Sequence, residues 1–200
     1  MGKIIVITNL TLDGVMQAPG HRDEDPRDGF RYGGWAEPFA AMQQPEVSAA
    51  FANLGALLFG RVTYERFAAF WPTQTDNPIS ETLNNLLKYV VSTTLTEPLP
   101  WMNSKLIQGD VAKALEQFKK EQARDLMVFG SGVLSQSLMQ WHLVDEYVLL
   151  IHPLVLGSGR HLFIDGGTPI NLQLRDVKAT NNGVVIATYL PVPSDGEKTA

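Results

Sequence analysis

The sequence predicts an α/β fold: a mixed, mostly parallel central sheet flanked by helices and closed by a C-terminal antiparallel hairpin. Three observations carry this. Short apolar runs of strand length, KIIVIT, ALLF, YVV and LMVF, alternate along the chain with segments whose apolar residues recur at helical spacing. Two of those runs stop at glycine and pass straight into a helical pattern, at Gly60 and at Gly130-Ser131-Gly132. Near the end, Asn181-Asn182-Gly183 separates two extended runs, and Asn-Gly between strands marks a tight hairpin turn.

Taken in order, Lys3 to Thr8 is apolar enough for a central strand and leads into the short polar loop Asn9 to Gly14. Residues 17–35 mix glycine, proline and both charge signs without any period. They read as a long loop, either a lid or binding segment or a solvated insertion. Pro45 suits a first helical position, with Val47, Ala50, Phe51 and Leu54 on one face. Ala56 to Phe59 is the next buried strand. It ends in Gly60-Arg61-Val62-Thr63, where Thr63 can cap a helix whose Tyr64, Phe67 and Trp71 share a face. Pro78 opens another helix with Ile79, Leu83, Leu86 and Leu87 inward. Strands at Tyr89 to Val91 and Lys105 to Ile107 follow, then a helix capped by Asp110 with Val111, Leu115 and Phe118 inward. Leu126 to Phe129 is a buried strand, and Ser131 is placed to cap a helix carrying Leu134, Leu138 and Trp141 on one face. Tyr147 to Ile151 and Leu154 to Leu156 are further apolar runs around His152-Pro153. The pattern makes one domain over residues 1–190 and a polar, frayed tail over 191–200.

Composition narrows the function. With 44% hydrophobic residues in 200, the chain can bury a proper core. It has no cysteine, so disulfides, thiolate zinc and a cysteine nucleophile are unavailable. It shows no leader and no apolar run near membrane-spanning length, so a soluble, cytoplasmic protein is expected. A net charge of −5 with scattered basic residues speaks against nucleic acid as a partner. His21, His142, His152 and His161 lack metal-ligand spacing, so no metal is expected. Asp23-Glu24-Asp25 reads as a solvated loop, and Ser131 lies in G-S-G and not in a nucleophile elbow.

The junction at residues 130–134 is the chemical signal. A strand, a glycine turn and a helix N-terminus present free N–H groups and the positive end of a helix dipole at one spot, which suits a phosphate; a glycine turn without ligand is the alternative. Three strand ends carry small or polar residues in order: Gly60-Arg61-Val62-Thr63, Ser92-Thr93, and Gly130-Ser131-Gly132-Val133-Leu134.

With Thr11-Leu12-Asp13-Gly14 near the start and His152-Pro153-Leu154-Val155-Leu156-Gly157-Ser158-Gly159-Arg160-His161-Leu162-Phe163 late in the chain, the sequence resembles the dihydrofolate reductase fold over about residues 3–190. It is most similar to the reductase half of the riboflavin-biosynthesis deaminase-reductase and its stand-alone relatives. The resemblance implies an NADPH-dependent reductase of a small heterocyclic or carbonyl-type substrate, working as a homodimer. It would place Gly60, Arg61 and Thr63 at the adenosine 2′-phosphate, Ser92 and Thr93 beside the adenosine, and Gly130, Ser131, Gly132, Val133 and Leu134 around the diphosphate. Asp13 and Gly14 would lie beside the nicotinamide. Asp13 is then either a proton donor or orienter near the reacting centre, or the brace of its own loop. Trp35, Tyr64 and Phe67 could line the substrate pocket or belong to the core. The folate enzymes carry a buried carboxylate on their first long helix. Here the matching region reads Met42-Gln43-Gln44-Pro45-Glu46, with Glu46 out of alignment, which points away from true dihydrofolate reduction. A nucleotide-binding protein of the same fold without turnover and a non-catalytic assembly protein are the rival readings.

Overall fold

The computed structural model describes residues 1–39, 53–74, 78–167 and 169–192. Strand β1 (Ile4–Thr11) is buried along almost its whole length and lies at the heart of an eight-stranded sheet. The others are β2 (Leu54–Gly60), β3 (Leu87–Val91), β4 (Ser104–Ile107), β5 (Asp125–Phe129), β6 (Glu146–His152), β7 (Asn171–Ala179) and β8 (Val185–Val192). Their order across the sheet is β4-β3-β2-β5-β1-β6-β8-β7, parallel from β4 to β6 and antiparallel at β8 and β7. The dihydrofolate reductase-like architecture is therefore present, including the C-terminal hairpin. Its turn closes by Gly183 N–H to the Thr180 carbonyl, with Gly183 at φ +87°.

Four α-helices are described: α1 (Arg61–Phe70), α2 (Pro78–Asn85), α3 (Val111–Glu121) and α4 (Gly132–Gln140). Alternation along β1 divides the core in two. Ile4, Val6 and Leu10 pack with Leu115 of α3 and Leu134 and Leu138 of α4, whereas Ile5 and Ile7 pack with Tyr64 and Phe67 of α1 and Leu83 of α2. The Asp110 carboxylate caps α3 by accepting from Lys113 N–H at 3.1 Å.

Several local expectations are corrected. Leu54 and Leu87 belong to strands, because each continues a buried run into the sheet. Ile79 is half exposed, and Leu154 to Leu156 form a loop whose Leu154 carbonyl accepts from Leu12 N–H. Helix α1 already begins at Arg61, so Thr63 sits in its first turn and caps nothing. Ser131 holds the N-cap position of α4 in left-handed backbone, φ 48°, and turns its hydroxyl to Gly60 N–H of the neighbouring strand at 3.1 Å. The helix expected at Pro45, and Glu46 with it, lies outside the described residues.

Candidate active site

The cleft follows from the sheet order. Strands β2 and β5 are neighbours, yet α1 leaves β2 toward one face and α4 leaves β5 toward the other, so a crevice opens at their carboxyl ends. It has a volume of about 790 Å³. Ile7, Thr8 and Asn9 of β1, Gly60 to Thr63, and Phe129 to Leu134 line it, together with Met16, Gln17, Asp25 and Arg27 from the segment that follows β1.

Two glycine junctions face one another here. At the first, Gly60 is the N-cap of α1 and no side chain caps that helix. A Cβ on Gly60 would lie 3.6 Å from Leu134, an ordinary contact, so the protein itself does not demand glycine there. At the second, Gly130 has φ +52°, and a side chain on it would project into open space. The N–H groups of Ser131, Gly132, Val133 and Leu134 find no acceptor among the described residues. Four unpaired donors at a helix start, beside a position kept free of side chain, are what a diphosphate requires. Gly132 has a further reason to be small: a Cβ there would come within 2.9 Å of the Met16 sulfur.

Arg61 also borders the cleft, where its guanidinium pairs with Glu65 at 2.9 Å, both side chains 45% exposed. Thr63 and Phe67 line the cleft as expected. Ser92 and Thr93 lie just beyond its rim at the end of β3, whose Val91 lines it. The Ser92 hydroxyl accepts from Thr94 and Leu95 N–H. Tyr64 is core, packed near Phe59 and Trp101, with its hydroxyl accepting from Trp101 N–H. Trp35 is buried over His152 and donates from Nε1 to the Gln17 carbonyl at 2.7 Å.

Asp13 and Gly14 do not line the cleft either. Asp13 accepts from the Thr11 hydroxyl at 2.5 Å, from Leu156 N–H at 3.2 Å and from Gly157 N–H at 2.7 Å, which ties the loop after β1 to the glycine segment after β6. The Thr11 hydroxyl, then the two N–H groups, hold its carboxyl below the usual range against a smaller opposing effect of burial. Gly14 turns this loop at φ +81°.

Several cleft residues escaped the sequence reading, three of which are Asp25, Asn9 and Gln17. Asp25 is buried, and although burial raises its pKa, Arg27 and Arg66 outweigh that and hold it well below the usual carboxylate range. Arg27 bonds it through Nε at 2.7 Å and Nη2 at 2.5 Å, and Arg66 of α1 through Nη2 at 3.0 Å. The acidic run is thus solvated at Asp23, half-buried at Glu24 and ion-paired at Asp25. Asn9 and Gln17 are the others. Neither stands in a motif, and only the fold shows that they border a cavity. Among the described residues no three acidic or histidine side chains converge for a metal, and no helix is long and apolar enough to cross a membrane.

Fold and cleft together define a domain of the dihydrofolate reductase-like fold. The comparisons agree: residues 2–186 match the RibD C-terminal domain, and the chain belongs to that family. It is 29% identical to the uncharacterized protein YyaP of Bacillus subtilis (strain 168) over 170 residues, 81% of this chain and 88% of that one. A solved structure of a candidate riboflavin biosynthesis protein from Shewanella sp. PV-4 is 21% identical, with a TM-score of 0.71 over 96% of this chain and 99% of the other. Dihydrofolate reductase from Enterococcus faecalis, solved with NADP(H) and RAB-propyl, shares the fold at 12% identity and a TM-score of 0.59, covering 96% of this chain and 98% of its own.

Proposed function

We propose that this protein is an NADPH-dependent reductase of a small heterocyclic or carbonyl-type substrate, resembling 5-amino-6-(5-phosphoribosylamino)uracil reductase of riboflavin biosynthesis. The observation that carries the reading is the pair of glycine junctions facing each other across one cleft, one with four unpaired N–H donors and the other with a cleft-side arginine. The N–H groups of residues 131–134 would hold a diphosphate, and Arg61 and Thr63 at the start of α1 a 2′-phosphate. NADPH bound there would supply the hydride. Ile7, Met16, Phe67, Phe129, Leu134 and Trp141 give the cleft apolar walls that exclude water from a reacting centre.

Asp13 is read here as the clasp of the loop beside that centre, since its oxygens are already occupied by Thr11, Leu156 and Gly157. The proposal includes the homodimer and the cytoplasmic location that the resemblance implies; half-exposed Leu174 and Val177 on the edge strand β7 support self-association. The test is titration with NADPH, followed by its oxidation in the presence of the riboflavin-pathway aminopyrimidine or dihydrofolate. Saturable binding and oxidation that depends on the aminopyrimidine are expected. Binding without turnover on any small heterocycle would favour a nucleotide-binding protein, and absence of binding would refute the reading.

A further inference from the structure

His152 is completely buried, and the reading above does not use it. Its Nε2 lies 2.9 Å from Asn9 Oδ1, while Nδ1 has no hydrogen-bond partner among the described residues. Trp35 and Phe39 meet its ring edge-on at 5.1 and 5.0 Å. Burial pushes its pKa down to about 4, so the ring is neutral and carries one N–H.

Where that proton sits follows from the surroundings. A proton on Nδ1 would be a buried donor with nothing to accept it, whereas a proton on Nε2 has the Asn9 oxygen. The second arrangement leaves unpaired only a lone pair, the lesser cost. Nε2–H therefore donates to Asn9 Oδ1, and this settles which way the Asn9 amide faces, an orientation that an isolated carboxamide leaves open.

The sheet makes the contact possible. In the parallel register of β1 and β6, Asn9 stands across from Leu150 and Thr11 across from His152, so Asn9 and His152 point to the same face one step apart. Asn9 lines the cleft beside Thr8, Met16 and Gln17, and its Nδ2 has no acceptor among the described residues. With the oxygen turned back to His152, the two amide N–H donors are left to the cleft.

We propose that His152 is a positioning residue that locks Asn9 as a hydrogen-bond donor toward the substrate. The substrate then presents an acceptor, a ring carbonyl oxygen, at the β1 side of the cleft. A ring N–H at the same place meets a donor and is rejected. This deepens the reductase reading and rests on it for the identity of the ligand, but the tautomer and the amide lock hold or fail independently of turnover.

The test has two parts. In ligand-free protein, ¹⁵N chemical shifts of the His152 ring at neutral pH are expected to show the Nε2–H tautomer. An Nδ1–H tautomer or a protonated ring overturns the lock. Next, 5,6-diaminouracil and 4,5-diaminopyrimidine, which lacks the ring carbonyls, are titrated against wild type, Asn9→Leu, Asn9→Asp, His152→Phe and His152→Gln, with NADPH affinity and melting temperature as controls. One neutral hydrogen bond corresponds to roughly 2- to 13-fold in affinity. Wild type should prefer the uracil by about that factor. Asn9→Leu and Asn9→Asp should lose the preference, and His152→Phe should reduce it although the ring packing survives. His152→Gln, which can place a donor where Nε2 was, should restore it. A preference that persists in folded Asn9→Leu, or failure of both pyrimidines to bind, overturns the proposal. Failure of NADPH to bind wild type counts instead against the reductase reading.

Discussion

Arg61 offers a test in which the size of the effect can be worked out beforehand. In the protein alone it pairs with Glu65 one helical turn on, at 2.9 Å, with both side chains 45% exposed. Exposed pairs at this spacing contribute about 0.3–0.5 kcal/mol. A charge-assisted contact to a 2′-phosphate contributes on the order of 1.5–3 kcal/mol, so the ligand should win and the intramolecular pair should give way. Arg61→Ala removes the phosphate contact but also removes the need to break the pair. The net loss for NADPH is then about 1–2.5 kcal/mol, or roughly 5- to 70-fold in affinity. Glu65→Gln should act oppositely and tighten NADPH about twofold, because the arginine starts free. NADH lacks the phosphate and should change little in either variant. The preference for NADPH should shrink as salt rises, since the contact is near the surface. Binding constants for both dinucleotides, measured by tryptophan fluorescence on the three proteins at two salt concentrations, decide the matter. An equal loss for both cofactors in Arg61→Ala, or none, rejects a 2′-phosphate role and leaves Arg61 as half of a surface ion pair.

Other residues give independent outcomes. Asp13→Asn should lower stability by about 1–2 kcal/mol, because an amide cannot accept from Thr11, Leu156 and Gly157 together. Turnover by the folded variant should stay within a few-fold, and its abolition would return Asp13 to the role of proton donor. His152 stays neutral down to about pH 4, whereas the unfolded chain takes up that proton near its ordinary value of 6.5, so stability should fall as pH drops from 6.5 to 4. The loss should be roughly 2–3 kcal/mol in urea unfolding and should vanish from this window in His152→Phe. Lys88 is fully buried, donates from Nζ to the Leu83, Asn84 and Leu86 carbonyls at 2.7, 2.9 and 2.6 Å, and lies 4.3 Å from the centre of the Trp101 ring. Lys88→Met should destabilise by about 2–4 kcal/mol, because it orphans carbonyls at the end of α2. An unchanged midpoint in chemical denaturation would show that water replaces the ammonium.

What could be read from the sequence was what local physics decides. The strands were legible because a buried parallel strand must be a short apolar run. The two junctions were legible because glycine between an apolar run and a helical pattern marks a sharp strand-to-helix turn. Asp110 was recognisable as a cap because the N–H it accepts from, that of Lys113, lies only three residues away. The failures share a different cause. Ser131 has the right type for a cap, but its left-handed backbone sends the hydroxyl across to Gly60, in another strand. Asp25 looked solvated beside Asp23 and Glu24, and only the fold brings Arg66 to it. Asn9 and His152 are separated by 143 residues and meet because β1 and β6 are neighbours in register.

The segment 17–35 shows how such distant contacts build the site. Its composition allowed either a binding element or a solvated insertion, and Gln17 decides between them. Gln17 is almost fully buried, and its side-chain amide and its carbonyl are occupied by different parts of the cleft wall. Nε2 donates to the Asp25 and Arg27 carbonyls, both at 3.0 Å, which curls the segment back on itself. Oε1 accepts from Arg160 N–H at 3.0 Å, and the Gln17 carbonyl accepts from Trp35 Nε1. The same wall is closed by Met16 N–H to the Arg160 carbonyl at 2.8 Å and by Gln136 of α4 donating to the His161 carbonyl at 3.1 Å. A solvated insertion would leave its backbone groups to water. Here they are spent on joining the loop after β1, the loop after β6 and helix α4, so Asp25, Arg27 and Arg160 are held at the cleft as fixed parts of its border. The charge chemistry bordering the cleft is thereby set by a segment whose sequence has no periodicity at all, and one buried amide is what makes it a wall.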